Sequence, residues 1–176
     1  MGFSAFRQRG FTAYELLVGL ALVALLATLA VPGFAGLRRS AGLTAAAHQL
    51  MGALHLARSS AAVRGVPAIV CLTVDDRTCL DTAGAVASGW LIYHSQGQRP
   101  GAPAEVEGEL LQRFRLPPDV TISGTRPAIT FWPTARAGTT ATFSLCDLSG
   151  DSAGRAIVVS QTGRARAARE LATCDR

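Results

Sequence analysis

Arg164 and Arg166, in the stretch Ser160-Gln-Thr-Gly-Arg-Ala-Arg-Ala-Ala-Arg-Glu170, are the residues whose spacing most directly suggests chemistry. In an extended segment, side chains two positions apart share a face. Two guanidinium groups on one face can straddle a phosphate backbone, because each presents a planar fork of donors that matches phosphate oxygens. Gly163, just before them, can take a turn conformation that other residues resist. From Arg155 to Arg176 there are five arginines against Glu170 and Asp175, an excess of three. Arg169 is a candidate helper to Gly163, Arg164 and Arg166. The bland reading is a charged edge strand that discourages sheet-to-sheet pairing. No aromatic residue follows Trp132 and Phe143, so base stacking has little support and contacts to nucleic acid would be electrostatic and independent of sequence.

Other chemistry is poorly supported. Serine, histidine and aspartate are all present, but no nucleophile elbow, metal motif or phosphate loop accompanies them. His48 and His55 are seven residues apart and share a helix face, which reads as a surface pair. His94 ends an expected strand and reads as a solvated strand-end residue. The expectation is a non-enzyme with no cofactor and no metal. All 17 basic residues are arginines, and the net charge of +5 is too modest to imply nucleic acid by itself. The four cysteines, Cys71, Cys79, Cys146 and Cys174, form no CxxC pair. In an exported domain they read as two disulfides. The preferred pairing is Cys71–Cys79 and Cys146–Cys174, with the other two pairings open.

Glu15 is the second residue whose placement needs a cause. Residues Leu16 to Leu37 carry no charge, so the acid stands at the edge of an apolar run long enough to span a bilayer. A secretory signal peptide does not fit, because the run is too long and "AVPGFAGLRRS" is a poor cleavage site. A plain transmembrane anchor explains the length but leaves a costly carboxylate without a partner. Removal of a leader, Met1 to Gly10, accounts for both. Phe11 becomes the first residue of the mature chain and Glu15 the fifth, where it can pair with the N-terminal amine of a neighbouring subunit when helices bundle.

The stretch "RGFTAYELLVGLALVALLATLAVPGF" resembles the class III signal of type IV pilins and type II secretion pseudopilins. That resemblance implies cleavage after Gly10, N-methylation of Phe11 and an assembly role for Glu15. It also places Pro32 where such helices kink or locally melt, in keeping with the donor that proline lacks.

The elements that would position these residues follow from periodicity. Leu43, Ala47, Leu50, Leu54, Ala57 and Ala61 form an amphipathic stripe, with Thr44, His48, Gln49, His55 and Arg58 opposite. Gly65-Val66-Pro67 ends that helix. Beyond it, β-branched and aromatic runs separated by turn signals predict strands at 67–74, 89–94, 110–116, 119–123, 128–131, 140–146, 156–160 and 164–168. Residues 95–108 read as a polar Gly/Pro-rich loop. The expected organisation is a leader at 1–10, a hydrophobic transmembrane and assembly helix at 11–37, its amphipathic second half at 38–65, and a β-rich domain at 66–176. The fold class is α+β, a long N-terminal helix packed on antiparallel sheet.

Over most of its length the chain is similar to the FimT/GspH branch of minor pilins, through "HLARSSAAVRG", "VCLTVDDRTC", "GWLIY", "ITFWPTARAGTTATFSLCD" and "AIVVSQTGRARAAR". The Gly-Arg-x-Arg pattern resembles the C-terminal motif of FimT-type subunits that bind DNA during natural transformation. This implies a DNA-binding set of Gly163, Arg164, Arg166 and Arg169 acting on double-stranded DNA. Implied partners are major and minor pilin subunits, a prepilin peptidase and an inner-membrane assembly platform. The implied location is the bacterial inner membrane, single-pass with a periplasmic domain, and then the fibre. The alternative is a structural or priming subunit, GspH-like, of a type II secretion system or a pilus tip, with no DNA binding.

Overall fold

A computed structural model of the chain describes residues 12–95, 108–134, 137, 140–148, 154–168, 172 and 174, with the side chains of 29–35 outside the description. The chain is α+β: among the described residues one long helix, α1 (Ala13–Arg64), is followed by eight antiparallel strands. It divides into two compact units, Met1–Leu37 and Arg38–Arg176.

In the first unit, Tyr14, Leu16, Leu17, Val23, Leu25 and Leu26 are all exposed. Apolar side chains displayed in such number mark a surface made for a partner rather than for water. Among the described residues no helix is long and apolar enough to cross a membrane. The apolar run seen in the sequence includes 29–35, whose side chains lie outside the description. The kink or local melting expected at Pro32 does not interrupt the helix, which continues through it. Proline removes one backbone donor, and a long helix tolerates the loss of one rung.

In the second unit the remainder of α1 carries the predicted stripe. Leu43, Leu50, Leu54, Ala57 and Ala61 are buried, joined by Ala46 and Ala53, while Ala47 packs at the margin. Leucines buried at this spacing contribute roughly 1.5–3 kcal/mol each, which exceeds the intrinsic helix preference of any one residue and fixes which face turns inward. Gly65 closes the helix: its φ is 69°, and its N–H donates to the Ala61 carbonyl at 3.0 Å.

The strands are β1 (Ala68–Thr73), β2 (Gly89–Ser95), β3 (Gly108–Arg115), β4 (Val120–Gly124), β5 (Ala128–Phe131), β6 (Ala141–Asp147), β7 (Arg155–Val159) and β8 (Ala165–Ala167). They form two four-stranded sheets. The first has the order β3-β2-β1-β5 and the second β4-β6-β7-β8. One core joins the helix stripe to both sheets, with Trp90, Phe131 and Phe143 its largest fully buried side chains. Trp90 stacks on Phe114 with ring centroids 4.5 Å apart. The central strands β1 and β2 are buried on both faces, because Ile69, Cys71, Leu91 and Tyr93 make a second cluster behind the first sheet. The second sheet alternates instead, with Ala141, Phe143 and Leu145 buried and Thr142, Ser144 and Cys146 between them half-buried.

His94 corrects the sequence reading. It is buried, not solvated, and among the described residues neither ring nitrogen has a hydrogen-bond partner. The cause is the reach of β3. It begins two residues earlier than expected, so Glu109 lies opposite His94 and Gly108 opposite Ser95. Gly108, at φ 155°, sits against the His94 carbonyl where a Cβ would not fit. A buried polar group without a partner costs about 1–3 kcal/mol. His94→Leu is therefore expected to raise stability by about 1 kcal/mol, while His94→Ala lowers it by leaving a cavity. Denaturant midpoints of the two variants check this.

Candidate nucleic-acid interface

The arginine pair is positioned by the β7–β8 hairpin. Ile157 pairs with Ala167, Val158 with Arg166 and Val159 with Ala165. The Ser160 N–H donates to the Arg164 carbonyl at 3.0 Å, closing a three-residue loop of Gln161, Thr162 and Gly163. The Gly163 N–H donates back to the Ser160 carbonyl at 2.8 Å, and Gly163 has φ 76°. This is the three-residue hairpin in which the last loop residue must be left-handed, a role glycine fills without steric cost. The Ser160 hydroxyl tightens the tip further, 2.8 Å from the Thr162 hydroxyl and 3.3 Å from the Arg164 N–H, which donates to it. Sequence reasoning anticipated a role for Gly163 and overlooked Ser160, although a serine three residues before a glycine is a turn signal.

β8 buries only its first residue, and Arg164 stands immediately before it. Ala165 is buried among the core residues, while Arg164 and Arg166 are exposed on the opposite face. Among the described residues neither guanidinium has an ion-pair partner. The two cations thus share one face at the free edge of the second sheet. The sequence had grouped Arg169 with them, and it lies outside the described residues, as do Gly10 and Phe11.

Two disulfides brace the domain. Cys71–Cys79 closes a loop in which the Asp75 carboxylate accepts from the backbone N–H groups of Thr78 at 2.8 Å and Arg77 at 2.9 Å. Those donors hold the Asp75 carboxyl well below the usual carboxylate range. Cys146–Cys174 joins β6 to the C-terminal segment and encloses the whole β7–β8 hairpin within its ring. A Cβ on Gly154 would collide with Cys174 Sγ, so glycine there permits the segment to lie close.

At the other end of the chain Glu15 makes contacts that sequence reasoning did not foresee. Its Oε2 accepts from the Thr12 N–H at 3.0 Å and the Thr12 hydroxyl at 2.9 Å, and its own N–H donates to the Thr12 hydroxyl at 3.3 Å. This is a capping box, in which residues three apart satisfy donors at the helix start. The Thr-x-x-Glu spacing was the available signal.

Residues 46–163 match the family described as Type II transport protein GspH. The match ends at the turn glycine, so Arg164 and Arg166 lie just beyond it. No curated protein matches the chain in sequence. Among solved structures, the type IV minor pilin FimU of Pseudomonas aeruginosa superposes with a TM-score of 0.52 at 21% identity, over 73% of this chain and 96% of that one. The minor pseudopilin EpsH from the type 2 secretion system of Vibrio cholerae superposes with a TM-score of 0.52 at 12% identity, over 77% of this chain and 99% of that one. At these identities the likeness is one of fold.

Proposed function

The chain belongs to the GspH family, whose members are minor pilin and pseudopilin subunits, and from that premise we propose that it is a minor type IV pilin that binds extracellular DNA for uptake. The observation that carries this reading is the pair of exposed guanidinium groups, Arg164 and Arg166, side by side at a sheet edge without acidic neighbours to neutralise them among the described residues. A structural role needs no such pair. A phosphate backbone does, since its affinity for proteins comes mainly from cations that displace condensed counterions.

In this reading a prepilin peptidase removes Met1–Gly10 on the cytoplasmic side, where the basic leader is retained, and Phe11 is N-methylated. The helix from Phe11 to Leu37 holds the subunit in the inner membrane and then moves from lipid into the core of the fibre. The β-rich domain faces outward and carries the arginines to double-stranded DNA. A few phosphate contacts give weak, nonspecific binding, about 10⁻⁴–10⁻⁶ M at physiological salt. Several subunits along a fibre compensate through avidity. The second reading, a structural pseudopilin of a secretion system, is favoured by the description of the matched family and requires no nucleic acid.

The test is titration of duplex DNA onto the full-length chain in non-ionic detergent at several salt concentrations, beside the Arg164→Ala/Arg166→Ala variant. The expected result is binding whose log–log salt slope falls by about two in the variant, one for each lost phosphate contact. Absence of binding by the wild type at low salt would favour the structural reading.

A further inference from the structure

The second sheet's outer face continues from the arginine pair, and its register puts particular residues in line. Arg166 on β8 lies opposite Val158 on β7, and Val158 lies opposite Thr142 on β6. The row continues through Thr125, whose hydroxyl accepts the Thr142 N–H at 3.0 Å and whose N–H donates to the Thr142 carbonyl at 2.9 Å. Next to Thr125 stands Arg126, exposed and, among the described residues, without an ion-pair partner. One end of the row is therefore Arg166 and the other Thr125, with the exposed Arg126 beside it in the bend that follows β4.

Among the described residues of β4, β6, β7 and β8 that face carries no acid, and at its far side Cys146 is bonded to Cys174. Thr142 and Ser144 alternate with the buried Phe143 and Leu145, so their hydroxyls point away from the core. Among the described residues neither hydroxyl has a hydrogen-bond partner. Asp147 is the single acid among the described residues of β4, β6, β7 and β8, and it is buried on the opposite face. Three inter-strand steps of about 4.8 Å separate β8 from β4, a span of about 14 Å. That span accommodates a short run of phosphates of one DNA strand.

We propose that this outer face is the floor of the nucleic-acid site, with one sugar-phosphate strand lying across the sheet from Arg164 and Arg166 to Arg126 and the Thr142 and Ser144 hydroxyls donating to the phosphates between. The inference rests on the DNA-binding reading above and extends it from a turn to a surface. Cations at one end of the row and beside the other favour one line for the strand across the sheet. Small hydroxyl side chains let the backbone approach closely and supply the neutral donors that phosphate contacts commonly use. A solvated sheet face of a purely structural subunit has no need to exclude acids or to end in cations on both sides.

Charge reversal at the centre of the floor tests this. Thr142→Glu and Thr142→Arg both add a long side chain to one half-buried position, so a packing defect moves both in the same direction. Ser59→Glu and Ser59→Arg make the same changes in net charge on the exposed surface of α1. Using the full-length chain and a duplex probe, Thr142→Glu is expected to weaken binding roughly tenfold. Thr142→Arg is expected to tighten it and steepen the salt slope by about one. The Ser59 pair is expected to change affinity less than about twofold, since Ser59 is exposed on α1 and is no part of the second sheet. If the Thr142 pair behaves like the Ser59 pair, or if both Thr142 variants weaken binding alike, the floor is overturned. Loss of binding in the Arg164→Ala/Arg166→Ala variant would then leave the turn-only reading standing. A wild type that binds no duplex overturns both.

Discussion

A Gly163→Val chain is expected to bind duplex DNA roughly tenfold more weakly than the wild type, although Arg164 and Arg166 are both retained. At φ 76° the turn glycine occupies a region where a side chain costs about 1–2 kcal/mol, and a β-branched side chain is the worst case. The hairpin has few bonds with which to resist. β8 is three residues long and, among the described residues, pairs with β7 alone. The tip therefore relaxes, the Ser160–Arg164 closure opens, and the two guanidinium groups no longer share a fixed spacing. Gly163→Asn, which tolerates the left-handed region, is expected to retain most of the affinity. Comparing the two variants by duplex titration, with thermal melts to show that the domain stays folded, separates the geometry of the turn from its charge. Equal affinity for Gly163→Val and wild type would mean that the hairpin does not position the arginines.

The strands were legible because β-branched runs and turn residues agree with one another along most of the domain. "AIVCLT" and "GWLIYH" mark strands by composition alone, and their burial on both faces is the lot of the two inner strands of the first sheet. The α1 stripe was legible for the complementary reason, since leucine and alanine at helical spacing have one face to bury. His94 was misread because its environment is set by β3, whose start lies at Gly108 next to a Gly/Pro-rich stretch without a strand signal. Long-range pairing of this kind leaves little trace in a local window. The arginine pair could be seen in sequence as two like residues with period two. The floor beside it could not, because Thr142, Val158 and Arg166 come from separate segments and are joined only by register.

Glu15→Gln is expected to lower incorporation into fibres by roughly tenfold or more while leaving the isolated chain's helix start intact. The two roles that the sequence and the structure suggest for this residue make opposite demands. As a cap, the side chain needs only an oxygen that accepts from Thr12, and glutamine provides one. As a partner for the N-terminal amine of a neighbouring subunit, it must carry a charge, because an ammonium left without a counter-ion in an apolar bundle costs several kcal/mol. Glu15→Ala removes both functions, so on its own it cannot distinguish them. The glutamine variant can. Fibre incorporation is read by immunodetection in sheared fibre fractions, and amide exchange at the start of α1 reports the cap. Loss of incorporation with unchanged exchange assigns the carboxylate to assembly. Wild-type incorporation of Glu15→Gln together with failure of Glu15→Ala would assign it to the capping box instead. The leader would then serve to expose Phe11 for reasons unconnected with Glu15. In the isolated chain the carboxylate is already engaged by Thr12, so the assembly reading requires those hydrogen bonds to be exchanged for an ion pair. A threonine hydroxyl and one backbone N–H are modest competitors, worth about 0.5–2 kcal/mol together, and a desolvated ion pair inside a helical bundle displaces them.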